Sequence, residues 1–267
     1  MLNRLLIPAL ALIGTSVAAQ DPHDAFEVEI LEGWRTDSGI HVAGVRVTLD
    51  PEWKTYWRSP GDAGIPPRFF WEGSQNLAEA EPLWPQPIVF HLLGARSIGY
   101  EDELLLPIAF TPENAGDDIV LGGGMQIGVC LDVCVPVFVD FDTTLSPGGE
   151  PDQRILASVA RGPISADRAG VEHVTCSVEP ISDGLRITTQ VEIPRIPGEE
   201  ITVIEAGDPA IWVSQAETTR EGNIVTSVAE MVPPEAAPFA LDRSNVRITL
   251  LTENHTVDIL GCAAAQS

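Results

Sequence analysis

The chain has 267 residues, with 15 Lys plus Arg against 39 Asp plus Glu, for a formal net charge of −24. Negative charge spread along a whole chain repels phosphate backbones and anionic lipid, which argues against nucleic-acid binding and against docking on a membrane surface. The length allows one large domain or two ordinary ones.

The first 20 residues read "MLNRLLIPALALIGTSVAAQ", with one early positive charge at Arg4, an apolar run from Leu5 to Val17, and small residues at Ala18 and Ala19. That is the plan of a cleaved secretory signal over residues 1–19. The run falls short of the roughly 20 residues of a spanning helix, and Pro8 and Gly14 interrupt it, so no stable membrane insertion is expected. The mature protein is expected to be exported into an oxidising compartment, where disulfides form.

From Phe26 to about Leu145, short alternating apolar segments such as "FEVEILEGW", "IHVAGVRVTLD" and "LLLPIAF" are separated by Pro, Gly, Asp and Asn clusters. This spacing predicts a β-sandwich over residues 20–146. The break "SPGGEPDQ" opens a linker, 147–168, in which "RILASVARG" is the best helix candidate and Asp152 is placed to cap it. The strand pattern then returns in "VEHVTCSVE", "LRITTQVEI", "ITVIEA", "NIVTSVAEM", "VRITLLTE" and "TVDILGC", predicting a second sandwich over 169–267. The fold class expected is therefore all-β, with two sandwich domains.

Four cysteines in an exported protein suggest two disulfides, for which three pairings exist. Cys176 near the start of the second domain and Cys262 at its end would tie its terminal segments together. In the chain-entropy model that loop is worth about 4.6 kcal/mol, against about 2 kcal/mol for the small loop between Cys130 and Cys134. The long pair reads as a structural staple, the short pair as a weak one.

Four residue steps in an extended strand cover roughly 13 Å, whereas a disulfide needs Cα atoms within about 4.4–6.8 Å. The chain must turn between Cys130 and Cys134. Val129, Val133, Val135, Val137 and Val139 favour strands and Pro136 suits a helix badly, so a hairpin with "LDV" at its tip is expected. A short, accessible bridge of this kind has the profile of a disulfide that cycles. No Lys, Arg or His lies between Met125 and Asp142, and the Asp132 charge inside the loop opposes a thiolate. The pair is expected to be comparatively reducing.

Other chemistries find less support. His23, His41, His91, His173 and His255 show no ligand spacing, and Met1, Met125 and Met231 make a poor copper site, so no metal or other cofactor is expected. Gly122, Gly123 and Gly124 precede a strand and not a helix, which disfavours a phosphate loop and suggests a turn. No "GxSxG" elbow of a hydrolase occurs.

Together, "WKTYWRSPGDAGIPP" (53–67), "WPQP" (84–87), "GYEDELLLPIAF" (99–110) and "GVCLDVCVPV" (128–137) resemble the N-terminal periplasmic domain of the DsbD thiol:disulfide interchange family, in the form found in the ScsB copper-sensitivity suppressors. The resemblance implies an immunoglobulin-like sandwich in which Cys130 and Cys134 are the catalytic pair of a thiol:disulfide oxidoreductase. It implies electrons taken from a membrane-embedded thiol:disulfide donor and passed to periplasmic thioredoxin-like or other oxidised proteins. It maps a cap over the pair onto His91, Leu92, Leu93 and Gly94, with leucines where the family has aromatic residues. It also places Tyr56 and Trp57 either beside the sulfurs or in the ordinary core. No membrane segment or thioredoxin-like tail is present in the sequence, so a relay served by a separate donor is expected. The alternative is a non-catalytic, chaperone-like β-sandwich binding protein whose two disulfides are both structural.

Overall fold

The computed structural model describes residues 25–61, 64–92 and 95–265, so the predicted leader, 1–19, lies outside the described residues. Ten strands come first: β1 (Phe26–Arg35), β2 (His41–Leu49), β3 (Lys54–Gly61), β4 (Arg68–Phe70), β5 (Glu79–Pro82), β6 (Ile88–Leu92), β7 (Ala95–Glu101), β8 (Glu103–Thr111), β9 (Ile119–Cys130) and β10 (Cys134–Leu145). They form a four-stranded sheet, β1-β2-β8-β5, and a six-stranded sheet, β10-β9-β3-β7-β6, with β4 also paired to β9. The sheets close on one core: Val45, Val47, Leu106 and Ile108 from the first meet Trp57, Ile98, Ile127 and Phe141 from the second. Alternation of inward apolar and outward polar residues along each strand drives this packing.

β8 departs from alternation, since Leu104, Leu105 and Leu106 are all buried. The helix α1 (Gln153–Ala160) explains this by covering the outer face, with Ile155 packed against Leu31, Val42 and Leu105. Ser158 Oγ donates to the Leu105 carbonyl at 2.6 Å. Asp152 caps the helix by accepting from the Arg154 amide at 2.8 Å, an interaction worth about 1 kcal/mol.

After β11 (Ile164–Ser165) and the short helix α2 (Ala166–Ala169), the chain forms β12 (His173–Pro180), β13 (Leu185–Glu192), β14 (Ile201–Glu205), β15 (Trp212–Val213), β16 (Glu217–Glu221), β17 (Ile224–Val232), β18 (Arg247–Leu251), β19 (Thr256–Leu260) and β20 (Ala263–Ala264). These make a second sandwich of sheets β11-β19-β18-β14 and β15-β17-β13-β12-β20, with β16 paired to β17. Its core gathers Ile187, Val191, Met231, Ile248, Leu250 and Ile259 around Cys176. Cys176 and Cys262 are joined, with Cα atoms 5.7 Å apart, which fastens β12 to the segment after β19. The fold is all-β, two immunoglobulin-like sandwiches in succession. Among the described residues, no helix is long and apolar enough to cross a membrane.

The glycine run does not make a turn. Gly122, Gly123 and Gly124 lie inside β9, opposite Asp142, Phe141 and Asp140. The end of β4 approaches so closely here that a Cβ on Gly123, whose φ is +129°, would lie 2.1 Å from the Phe70 carbonyl oxygen. Close backbone approach, not chain reversal, accounts for these glycines.

Candidate functional site: a hairpin disulfide

The long hairpin β9–β10 runs in unbroken antiparallel register from Ile119↔Leu145 to Cys130↔Cys134, so the two cysteines face each other at its mouth. They are bonded, with Cα atoms 4.2 Å apart. Leu131, Asp132 and Val133 form the tip, and Val133 is 71% exposed. The bridge is less open than a free hairpin end suggests: Cys130 is fully buried, and Cys134 alone of the two is part-exposed.

What buries Cys130 is a cluster on the outer face of the six-stranded sheet, made of Tyr56, Phe90, Cys130, Ile65 and Cys134. Strand alternation places it there. Because Lys54 pairs with Cys130 and Thr55 with Val129, Lys54 and Tyr56 share the face of Cys130 while Thr55 and Trp57 take the other. The Tyr56 hydroxyl lies 2.8 Å from Cys134 Sγ and 3.2 Å from Cys130 Sγ. Neither sulfur carries a hydrogen in the oxidised pair, so the phenol is the donor. Burial pushes the Tyr56 phenol above its ordinary range, which keeps that proton in place. Gly128 makes room for the ring, since a Cβ there would lie 2.9 Å from Tyr56 Cδ2 and 2.8 Å from Ile65 Cβ.

Of the two aromatic residues expected either beside the sulfurs or in the core, Tyr56 is beside the sulfurs and Trp57 is in the core. Trp57 packs in the core of the first sandwich, with the Arg58 guanidinium 4.0 Å over its ring. The predicted cap falls on the β6–β7 hairpin, where His91 pairs with Arg96 and Leu92 with Ala95. His91 is exposed, Leu93 and Gly94 lie outside the described residues, and Leu92 is described in its backbone alone. The aromatic side chain that covers the pair is Phe90, one residue earlier, its ring 6.3 Å from that of Tyr56. Alternation through "IVFHL" puts Ile88 and Phe90 on one face and is the signal that would have found it. Cys176 and Cys262 stand apart from this cluster in the second sandwich.

A cation is also present where the local sequence offered none. Lys54 sits directly across from Cys130, its ammonium 3.3 Å from Glu101 Oε1, 2.9 Å from the Glu52 carbonyl and 5.7 Å from the Phe90 ring centroid. It comes from a strand 76 residues upstream, beyond the reach of a reading confined to 125–142.

No curated protein matches the chain. Among solved structures, it is similar to the crystal structure of the N-terminal periplasmic domain of ScsB from Proteus mirabilis, at a TM-score of 0.68 and 18% identity, over 93% of this chain and 97% of that one. That likeness speaks for the fold across both sandwiches. The family model for the thiol:disulfide interchange protein DsbD, N-terminal, matches residues 16–146, the stretch that contains the hairpin disulfide. Through that region the chain is similar to the DsbD N-terminal family.

Proposed function

We propose that this protein is a periplasmic thiol:disulfide oxidoreductase, a relay that takes electrons from a separate membrane-embedded donor and passes them to oxidised thioredoxin-like or other periplasmic proteins. Cys130 and Cys134 are its catalytic pair. Residues 1–19 are removed on export, 20–146 form the exchanging domain, and 147–168 link it to the domain 169–267.

The observation that carries this reading is the asymmetry of the pair: one sulfur is fully buried and the other part-exposed, with a protonated phenol touching both. Exchange needs a thiolate to approach one sulfur in line while the other leaves. Cys134 is the sulfur a partner can reach, and Cys130 is the one that leaves. Val133 at the hairpin tip (71% exposed), with Phe138 (66%) and Phe70 (37%) farther along the hairpin, presents apolar surface, which favours a protein partner over a small thiol.

Trapping tests the proposal. A Cys130→Ala variant leaves Cys134 as a free thiol that cannot be resolved internally. In periplasmic extract it is expected to accumulate mixed disulfides with thioredoxin-like proteins, and a Cys134→Ala variant is expected to accumulate few. Equal, non-selective trapping by both variants would contradict the assignment.

A further inference from the structure

We infer that Lys54 is the electrostatic partner of the Cys130 sulfur, stabilising the negative charge that develops there when the disulfide opens. The inference rests on the interchange reading above and adds to it a residue outside the cysteine hairpin.

In the step concerned, a donor thiolate attacks Cys134 Sγ and forms a new S–S bond. The Cys130–Cys134 bond breaks and its electron pair passes to Cys130 Sγ, which leaves as a thiolate. A second donor thiolate then attacks the donor sulfur of the mixed disulfide, releasing Cys134 as a thiolate and leaving the donor oxidised. Two electrons have moved, and the thiolates take protons from solvent.

The difficulty lies at Cys130. Its side chain has no exposed area, so the departing thiolate forms without water around it, and a buried anion is costly unless a charge or donor compensates. Tyr56 supplies one donor, at 3.2 Å. Phe90 from β6 and Ile65 bring no charge, and Asp132 at the hairpin tip carries the wrong sign. Lys54 is the cation placed directly opposite, on the same face of the sheet, where opposed Cβ atoms lie about 4.5–5.5 Å apart. Its side chain is 18% exposed, and Glu101 from β7, Glu52 and Phe90 hold the ammonium at the rim of the sulfur cluster. Screening there is weaker than in bulk water, and a thiol with a better-stabilised thiolate leaves faster.

A merely structural ion pair makes a different forecast from an electrostatic one. If Lys54 and Glu101 only brace β3 against β7, removing either has the same consequence. If Lys54 acts on the sulfur, Glu101 competes for its charge, and the two removals act in opposite directions.

The test uses the oxidised full chain, with dithiothreitol as reductant, followed by stopped-flow at neutral pH and low salt. Lys54→Met is expected to slow opening of the Cys130–Cys134 bridge about tenfold. Glu101→Gln is expected to speed it, and Lys54→Arg to stay near the parent rate. Melting curves taken alongside show that each variant is folded. In a Cys134→Ala background, the thiolate absorbance of Cys130 is expected to develop at higher pH once Lys54 is Met. An unchanged rate in folded Lys54→Met, or equal slowing by both removals, would overturn the inference and leave the interchange reading standing. A parent bridge that does not exchange would overturn both.

Discussion

Arg58, two residues beyond Tyr56 on β3, forms a two-point ion pair with Glu205 on β14, Nε lying 3.2 and 3.1 Å from the two carboxylate oxygens. The same guanidinium donates to Thr249 Oγ1 at 3.0 Å and reaches Asp258 Oδ1 at 3.4 Å, so one residue of the first sandwich gathers three of the second. Gln215 adds a bond to the Arg96 carbonyl at 3.0 Å, close to the β6–β7 hairpin that carries Phe90. The second sandwich therefore braces β3, which carries Tyr56, and β7, which pairs with the strand that carries Phe90.

Replacing Arg58 with Met takes the cation from Glu205 and leaves Asp258 paired with Arg247 alone. The side chains are mostly but not fully buried, 14% exposed for Arg58 and 26% for Glu205, which puts the cost between those of surface and buried pairs, about 2 kcal/mol. Chemical denaturation measures it. A cycle with Glu205→Gln is expected to show the two changes to be strongly non-additive.

Tyr56→Phe keeps the ring that fills the cluster and removes the hydroxyl at the sulfurs. Stability is expected to change by about 1 kcal/mol, while opening of the bridge slows about tenfold, because a hydrogen bond to a charged group is worth about 1.5–3 kcal/mol. Kinetics with a small dithiol beside a melting curve check both halves. Gly128→Ala, which drives a methyl into Tyr56 and Ile65, is expected to impair stability and exchange together.

Both tyrosines, Tyr56 and Tyr100, have phenols raised by burial, and Tyr100 also donates to the Pro85 carbonyl at 2.8 Å. The folded state thus holds these protons more tightly than the unfolded chain. Their contribution is fully present below the ordinary phenol value of about 10 and is lost as pH rises from there through the folded values. Phenolate absorbance is expected to appear late and together with loss of near-UV dichroism. Ordinary titration of both groups in the folded protein would contradict this.

Cys176→Ser with Cys262→Ser is expected to lower the stability of the second sandwich by about 4 kcal/mol and leave exchange largely intact. The corresponding pair of changes at Cys130 and Cys134 is expected to cost about 2 kcal/mol and abolish exchange. Calorimetry and a reductase assay on both double variants separate the roles.

Much of the site is legible from chain geometry alone. The distance between Cys130 and Cys134 demands a reversal, the valines demand strands, and the observed hairpin follows. Asp152 before an apolar helical face likewise announces the cap of α1. Trp57 was assignable too, since alternation sets it opposite Tyr56. What lies beyond the hairpin comes from elsewhere in the chain: cross-strand register sets Lys54 opposite Cys130, Phe90 joins the cluster from β6, and Gly122 and Gly123 answer to a segment some 50 residues away. A glycine required by close approach looks, in sequence, the same as one required by a turn.

The Cys130–Cys134 bridge is expected to cycle while Cys176–Cys262 does not. Equilibrating the purified full chain against glutathione buffers, then labelling free thiols and mapping the peptides, reports both bridges in one sample. Cys130–Cys134 is expected to open at a potential of about −200 mV, while Cys176–Cys262 stays closed until below about −300 mV. Two bridges that resist reduction alike, both below about −300 mV, would contradict it and leave a protein with structural disulfides alone.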